Sequence, residues 1–189
     1  KKAKNMIEQQ YATHHHVYRT LDDHSASVNH YFHQHQKIRS AKHHHRYEKP
    51  QQPEFCIGIP SLHRHGQNYL KTTLASLLSP LSLEQRLSLR IAIVSADLDY
   101  TQNEHAMTLT DFVDDIVRLS DAEITFRKRH IEARQHTLSP KEYRILRAKH
   151  NGRIDYARTI DACLGWNARY IVILEDDVFA CRDWLKRLN

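Results

Sequence analysis

The sequence lacks a long hydrophobic run. None of its apolar stretches approaches the roughly 18–20 residues that span a bilayer, so we expect no transmembrane helix among its 189 residues. It has four glycines and neither GxGxxG nor GxxxxGK[ST], which argues against dinucleotide-binding and P-loop sites. The three cysteines, Cys56, Cys163 and Cys181, are odd in number and have no CxxC or metal spacing, so they cannot all pair. They lie within predicted elements, where buried thiols are the simplest interpretation, and the sequence leaves their disulfide state open.

A secretory signal is also lacking. The chain begins Lys1-Lys2 with no methionine and no apolar segment behind the charges, and it stops at Asn189 within a predicted helix. We therefore expect a segment of a longer protein. Its length suits one domain with a proper core.

Positive charge is in modest excess, with 28 Lys and Arg against 22 Asp and Glu and a net charge of +6. We interpret these charges as scattered over a solvated surface. Because no recognition module of known spacing accompanies them, we expect no nucleic-acid partner.

Residues 1–53 differ in composition from the rest of the chain. Residues 1–50 hold ten of the 16 histidines, including the triplets at 14–16 and 43–45, and no glycine. Histidine binds divalent metals, but no second set of ligands stands at structural-site spacing. We therefore predict a polar, partly helical, His-rich stem over residues 1–50. Pro50 and Pro53 disfavour helix and predict a short extended linker behind it.

Residues 54–189 alternate apolar strand patterns with helical ones. The predicted strands are 55–59, 89–95, 124–126 and 170–174, and the predicted helices are 66–78, 103–118, 140–166 and 180–188. The helix from Pro140 should turn Ile145, Leu146, Ile154, Ala157, Ile160 and Leu164 inward. This alternation predicts an α/β fold with a mostly parallel sheet whose strands are covered on both faces.

Three acids, Glu175, Asp176 and Asp177, follow the predicted strand at 170–174. Alternation along a strand should point Glu175 and Asp177 to one side and Asp176 to the other. Ligands of open α/β sheets collect at the carboxyl ends of strands, and two carboxylates there suit Mg²⁺ or Mn²⁺. An acidic turn that caps the next helix explains the same residues equally well.

Polar residues follow the two earlier strands as well. Backbone amides and Arg64, after the strand at 55–59, could meet a nucleotide phosphate or base. Asp97, after the strand at 89–95, could accept a hydrogen bond from a base or a ribose hydroxyl. A simple turn residue at Asp97 is an equally good interpretation.

Together these segments resemble the donor half of a GT-A glycosyltransferase, a Rossmann-like nucleotide-sugar-binding fold. The resemblance rests on FCIGIPSLHRHGQNYLKTTLASLL, LRIAIVSADLD and NGRIDYARTIDACLGWNARYIVILEDDVFACRDWL, within about residues 54–188. The sequence most resembles the post-GPI-attachment N-acetylgalactosaminyltransferases, in a fungal-looking version. The N-acetylglucosaminyltransferase IV family, which shares the strand–proline–helix opening and the EDD, is the alternative.

The resemblance implies roles for ten residues. The EDD takes the place of the metal-binding DXD motif, with Asp177 as the direct Mn²⁺ ligand, Glu175 near the metal, ribose or donor sugar, and Asp176 beside them in the donor site. Pro60, Ser61 and Arg64 would contact the uridine, and Asp97 would meet the base. On the helix before the strand at 170–174, Asn151, Arg153 and Asp155 would reach the diphosphate or donor sugar. Taken singly, Arg153 and Asp155 are better interpreted as charges on the helix surface.

The resemblance further implies a Golgi membrane enzyme with a lumenal domain, anchored by segments outside this chain. It would transfer N-acetylhexosamine, GalNAc rather than GlcNAc, from a UDP-sugar to a GPI-anchor glycan; on the alternative, the acceptor is an N-glycan mannose. A catalytic base usually follows the DXD strand, so none can be named, and we expect this chain to bind a donor rather than turn it over. A non-catalytic α/β module whose His-rich arm binds metal or a partner is the alternative of another class.

Overall fold

A computed structural model describes residues 52–64, 68–97 and 103–188. The stem and linker predicted at 1–53 therefore lie almost wholly outside the described residues and stay a prediction. The described elements, in chain order, are β1 (Phe55–Ser61), α1 (Tyr69–Leu78), α2 (Leu83–Leu87), β2 (Leu89–Ser95), α3 (Glu104–Met107), β3 (Asp115–Arg118), α4 (Asp121–Gln135), α5 (Pro140–Leu164), β4 (Tyr170–Ile173) and α6 (Trp184–Leu188).

The four strands form one parallel sheet in the order β3-β2-β1-β4. The chain moves from β1 outward through β2 to β3 and then returns to place β4 on the other side of β1. The predicted α/β fold with a parallel sheet is confirmed, and its arrangement is consistent with a Rossmann-like fold. The reversal of strand order makes the carboxyl ends of β1 and β4 the expected ligand crevice.

The core lies around β1 and β2. Every residue of β2 is buried, and in β1 only Pro60 is partly exposed. Proline in a central strand usually removes a ladder hydrogen bond, yet β4 ends its pairing at Gly58, whose carbonyl accepts from the amide of Leu174 at 3.0 Å. Pro60 faces the same side two residues later, where β4 has already ended, so its missing N–H leaves no ladder bond unmade.

Helix α5 approaches β1 closely because Gly58 has no side chain. A Cβ at that position would collide with Thr159 of α5 and would lie 3.4 Å from Cys163 Sγ. Cys163 forms a disulfide with Cys56 of β1, with 5.5 Å between their Cα atoms. The interpretation of buried thiols is therefore wrong for this pair; both cysteines are buried, but the packing of α5 against β1 brings their sulfurs together in a disulfide. Cys181 is free and exposed.

Two predicted elements are wrong. Residues 103–118 hold the short helix α3 and the strand β3 instead of one helix, because Asp115 to Arg118 pair with Ala92 to Ser95 of β2. Residues 124–126 belong to helix α4 instead of a strand, since the side chain of Ser120 caps the helix and Glu123 completes a capping box. In both places a nonlocal pairing or a cap outweighs the local apolar pattern.

The predicted inward face of α5 is wrong for four of its six residues: Leu146 and Ile154 are half-buried, and Ile145, Ala157, Ile160 and Leu164 are exposed. Its buried residues are Asp155, Thr159 and Cys163, one turn apart on the side that meets the sheet. Ile145, Ile160 and Leu164 are 44%, 41% and 60% exposed. β4 is likewise an edge strand of exposed and half-buried residues rather than a strand covered on both faces. Among the described residues no helix is both long enough and apolar enough to cross a membrane.

Candidate functional site

The carboxyl ends of β1 and β4 bring together residues that are 115 positions apart in the chain. Ser61 ends β1, and its hydroxyl donates a 2.9 Å hydrogen bond to Asp176 Oδ2, just past β4. Arg64 places a guanidinium nitrogen 3.0 Å from Asp176 Oδ1. Three of the residues singled out from the sequence therefore meet at the point where the strand order reverses.

Asp176 is the buried acid of the EDD motif. It is 5% exposed, and burial raises the pKa of its carboxyl group, whereas the hydrogen bond from Ser61 and the charge of Arg64 act in the opposite direction. With both oxygens engaged, Asp176 holds the turn in place and offers little to a ligand.

Glu175 and Asp177 are the exposed acids of the motif. Glu175 Oε1 accepts a 3.1 Å hydrogen bond from the hydroxyl of Tyr156 on α5. The pKa of Tyr156 is raised by burial first, then by its hydrogen bond to Glu175 and by the negative charges of Glu175 and Asp177. Asp177 Oδ2 also lies 3.5 Å from Arg64. The two exposed acids are thus available to a ligand, while Asp176 is turned inward.

Helix α1 holds the segment behind the motif. The hydroxyl of Thr73 lies 2.8 Å from the carbonyl oxygens of both Asp176 and Val178. Ser76 Oγ accepts from the amide of Ala180 at 3.0 Å, and the indole of Trp184 donates to the carbonyl of Leu77 at 2.9 Å. Sequence reasoning missed these contacts, because a threonine or serine inside a helix carries no signal of a distant partner.

Asp97, just past β2, is hydrogen-bonded to the segment that follows β1. Both of its carboxylate oxygens accept from the amide of His63, at 3.1 and 3.0 Å, and it also receives a hydrogen bond from the side chain of Asn103. Burial raises the pKa of Asp97, and these hydrogen bonds oppose the rise. Asp97 therefore orders the loop after β1, and part of its accepting capacity is already used.

Asp155 forms a buried ion pair with Arg127 of α4. Arg127 is 1% exposed and also donates to the carbonyl of Ala96 at 3.2 Å, next to Asp97. Burial raises the pKa of Asp155 and the negative charge of Asp97 adds to the rise, while Arg127 opposes it. Sequence reasoning missed Arg127, because nothing local distinguishes it from the solvated arginines around it. Asp155 is therefore engaged by protein rather than open to a donor.

The remaining candidates are less closely joined to this cluster. Arg153 is exposed on α5, and Asn151 is half-buried with its carbonyl oxygen lacking a hydrogen-bond partner. Pro60 lies in β1, next to Ser61. The cavity lined by Ser61, Arg64 and Asp176 measures about 10 Å³ and has room for about one water molecule. This cavity is therefore too small to hold a nucleotide.

The carboxylates at this site fit a cation that takes most of its ligands from a substrate and from water. Among the residues that the structure describes, no three His, Cys, Asp or Glu side chains converge as a protein metal cage. Glu175 and Asp177 are two exposed carboxylates, and Mg²⁺ commonly binds through one or two carboxylates plus substrate phosphates and water. Arg64, whose positive charge already lies beside Asp177, stands where a phosphate group would also find a partner.

Comparisons with known proteins produced no match, whether with family models, with curated proteins or with solved structures. The glycosyltransferase resemblance therefore rests on the residues that carry it.

Proposed function

We propose that the chain is the donor-binding region of a metal-dependent GT-A glycosyltransferase. The donor would be a UDP-N-acetylhexosamine, UDP-GalNAc rather than UDP-GlcNAc, and the acceptor a GPI-anchor glycan. The single observation that carries the proposal is the position of Arg64 beside the exposed Asp177, with the exposed Glu175 two residues before it, at the strand-order reversal where open α/β sheets bind their ligands.

Each charged residue of the candidate site would have one electrostatic role. Asp177 and Glu175 would hold Mn²⁺ or Mg²⁺, which when bound neutralises charge that grows on the departing diphosphate. Arg64 would contact a phosphate oxygen from the opposite side, since its guanidinium already lies among the acids. Asp176, held by Ser61, would keep the turn rigid, so that the two exposed acids keep their positions while the donor binds.

We propose a Golgi-lumenal location on the strength of the resemblance. The disulfide between Cys56 and Cys163 supports it, because disulfides persist in oxidising compartments and are rare in the cytosol.

The test is calorimetric titration of the full chain with UDP, first with Mn²⁺ and then with EDTA, with ADP as the nucleotide control. We expect UDP to bind only with Mn²⁺, and Asp177→Asn to remove that binding. Asp183→Asn is the matched control, because Asp183 is an exposed acid shortly after the motif. UDP affinity that survives both EDTA and Asp177→Asn would contradict the proposal. A following titration with UDP-GalNAc and UDP-GlcNAc compares the donors.

A further inference from the structure

One segment within the described residues is strongly basic. Residues 128–153, from α4 into α5, contain eight Lys and Arg residues and only two acids, Glu132 and Glu142. The segment therefore carries a net charge of +6; residues 1–50 carry a further +5, and the rest of the chain carries −5. All eight bases are exposed: Lys128, Arg129, Arg134, Lys141, Arg144, Arg147, Lys149 and Arg153.

Some of these bases form a row along α5. Three of the bases share one face of α5 with an isoleucine and a tyrosine, because the five residues are spaced by four, four, four and three positions. They are Lys141, Ile145, Lys149, Arg153 and Tyr156. All five are exposed, and the face extends for about 22 Å at the rise of an α-helix. Gly152, on the same side, has no atom within 4 Å of where a Cβ would stand. We call these five residues the α5 row.

The α5 row ends at the candidate donor site. Its last member, Tyr156, donates its hydroxyl hydrogen bond to Glu175 of the EDD motif at 3.1 Å. Arg153 is one turn away along the helix. A long anionic molecule that lies on the row would therefore have one end beside Glu175.

We propose that the α5 row binds an anionic glycan, which is the acceptor of the transfer. The acceptor role rests on the proposed function; the binding of an anionic glycan rests on the charge and the geometry. Lys141, Lys149 and Arg153 would contact acidic groups on the glycan, and Tyr156 would stand next to the sugar that enters the site.

Two other polyanions fit this segment less well. Single-stranded nucleic acid binds through aromatic platforms as well as charge, and residues 128–153 contain one aromatic ring of the Phe, Tyr and Trp type, the half-buried Tyr143. A membrane surface favours helices that add large apolar side chains to their basic ones, and Ile145 is the one large apolar residue exposed in the described part of this segment.

The test measures binding of a heparin-derived octasaccharide to the full chain, in EDTA and without nucleotide. The row variant is Lys141→Gln with Lys149→Gln, and the matched control is Lys128→Gln with Arg129→Gln, which removes the same charge from α4. We expect the row variant to weaken binding about tenfold, as the loss of charged hydrogen bonds implies, and the control to change it less than twofold.

Three results would overturn the proposal. Equal weakening in both variants would indicate diffuse attraction instead of a row. Tighter binding of a single-stranded oligonucleotide of equal charge would favour nucleic acid, and binding to phosphatidylserine vesicles without binding to the octasaccharide would favour a membrane surface. The UDP titration is independent of this assay. If the octasaccharide binds through the row while UDP does not bind, the glycan site is supported and its acceptor role is overturned.

Discussion

The sheet and the α4–α5 helix pair are stabilised in different ways. β1 and β2 bury their apolar side chains almost completely and exchange backbone hydrogen bonds along seven paired residues. Several contacts across α4 and α5 are polar: Glu123 lies 3.6 Å from Arg158, Arg127 pairs with Asp155, and the rings of His130 and His150 stack at 4.3 Å, with the ring of Phe126 beside both. One region depends on apolar burial, and the other depends on charges and imidazoles.

This difference predicts which region should lose stability when pH changes or a single charge is removed. Apolar burial hardly responds to pH or to the loss of one charge, whereas a buried ion pair is costly once one partner is removed. The helix pair also carries Asp155, which lies close enough to Asp97 for their charges to interact. Substitutions in the helix pair should therefore alter the electrostatics of the candidate site more than substitutions at the far end of the sheet.

The largest expected effect comes from Arg127→Met, which leaves Asp155 buried without its partner. We expect the free energy of unfolding to fall by about 3–5 kcal/mol in urea denaturation, because an uncompensated buried charge remains. Arg158→Met is the control, since its pair with Glu123 is partly exposed and should be worth about 0–1 kcal/mol.

A double variant sharpens this result. Replacing both partners, Arg127→Met with Asp155→Leu, should recover most of the lost stability, because no unpaired charge is left. Equal losses in Arg127→Met and Arg158→Met would show that the buried pair does not distinguish this region.

A smaller effect is expected where the sheet is tied to α5 by Cys56 and Cys163. Their disulfide closes a loop with a sequence separation of 107 residues, and removing both cysteines as alanines should cost about 2–4 kcal/mol of unfolding free energy. Urea denaturation with and without reductant measures the same loss in the unmodified chain. Cys181→Ser, which removes only the free thiol, should leave it unchanged. An unfolding free energy that does not change with reductant would contradict the disulfide.

The smallest effect should be the pH response of His150. Burial lowers the pKa of His150, and the positive charges of His130, Arg127, Arg153 and Arg134 lower it further. The unfolded chain therefore binds this proton more tightly, so stability is lost as pH falls from about 6.5 through the lower folded value.

The measurement is the urea midpoint at pH 7.5 and pH 5.5. We expect the midpoint of the unmodified chain to fall on acidification, and that of His150→Gln to fall less. His136→Gln, an exposed residue just past α4, serves as the control and should behave like the unmodified chain. An identical fall in all three would remove His150 as the cause.

Local signals predicted part of the fold. Ser139, Pro140 and Glu142 correctly indicate the start of α5, because a capping box needs only neighbouring residues. The same signal stands at Ser120 and Glu123, but the apolar pattern of Ile124-Thr125-Phe126 predicts a strand there, and that prediction is wrong. A strand as short as β3 escaped prediction because its only support is its pairing with β2.

The sequence by itself determined the α/β class, the apolar strands β1 and β2, and the position of three acids directly after β4, since these follow from periodicity, caps and order along the chain. Only the tertiary structure decided which acid is buried, because Ser61 and Asp176 meet across 115 residues. It likewise decided the disulfide, the Arg127–Asp155 pair and the alignment of the α5 row with Glu175. Each of these depends on how the crossover helices lie against the sheet, and no local pattern encodes that packing.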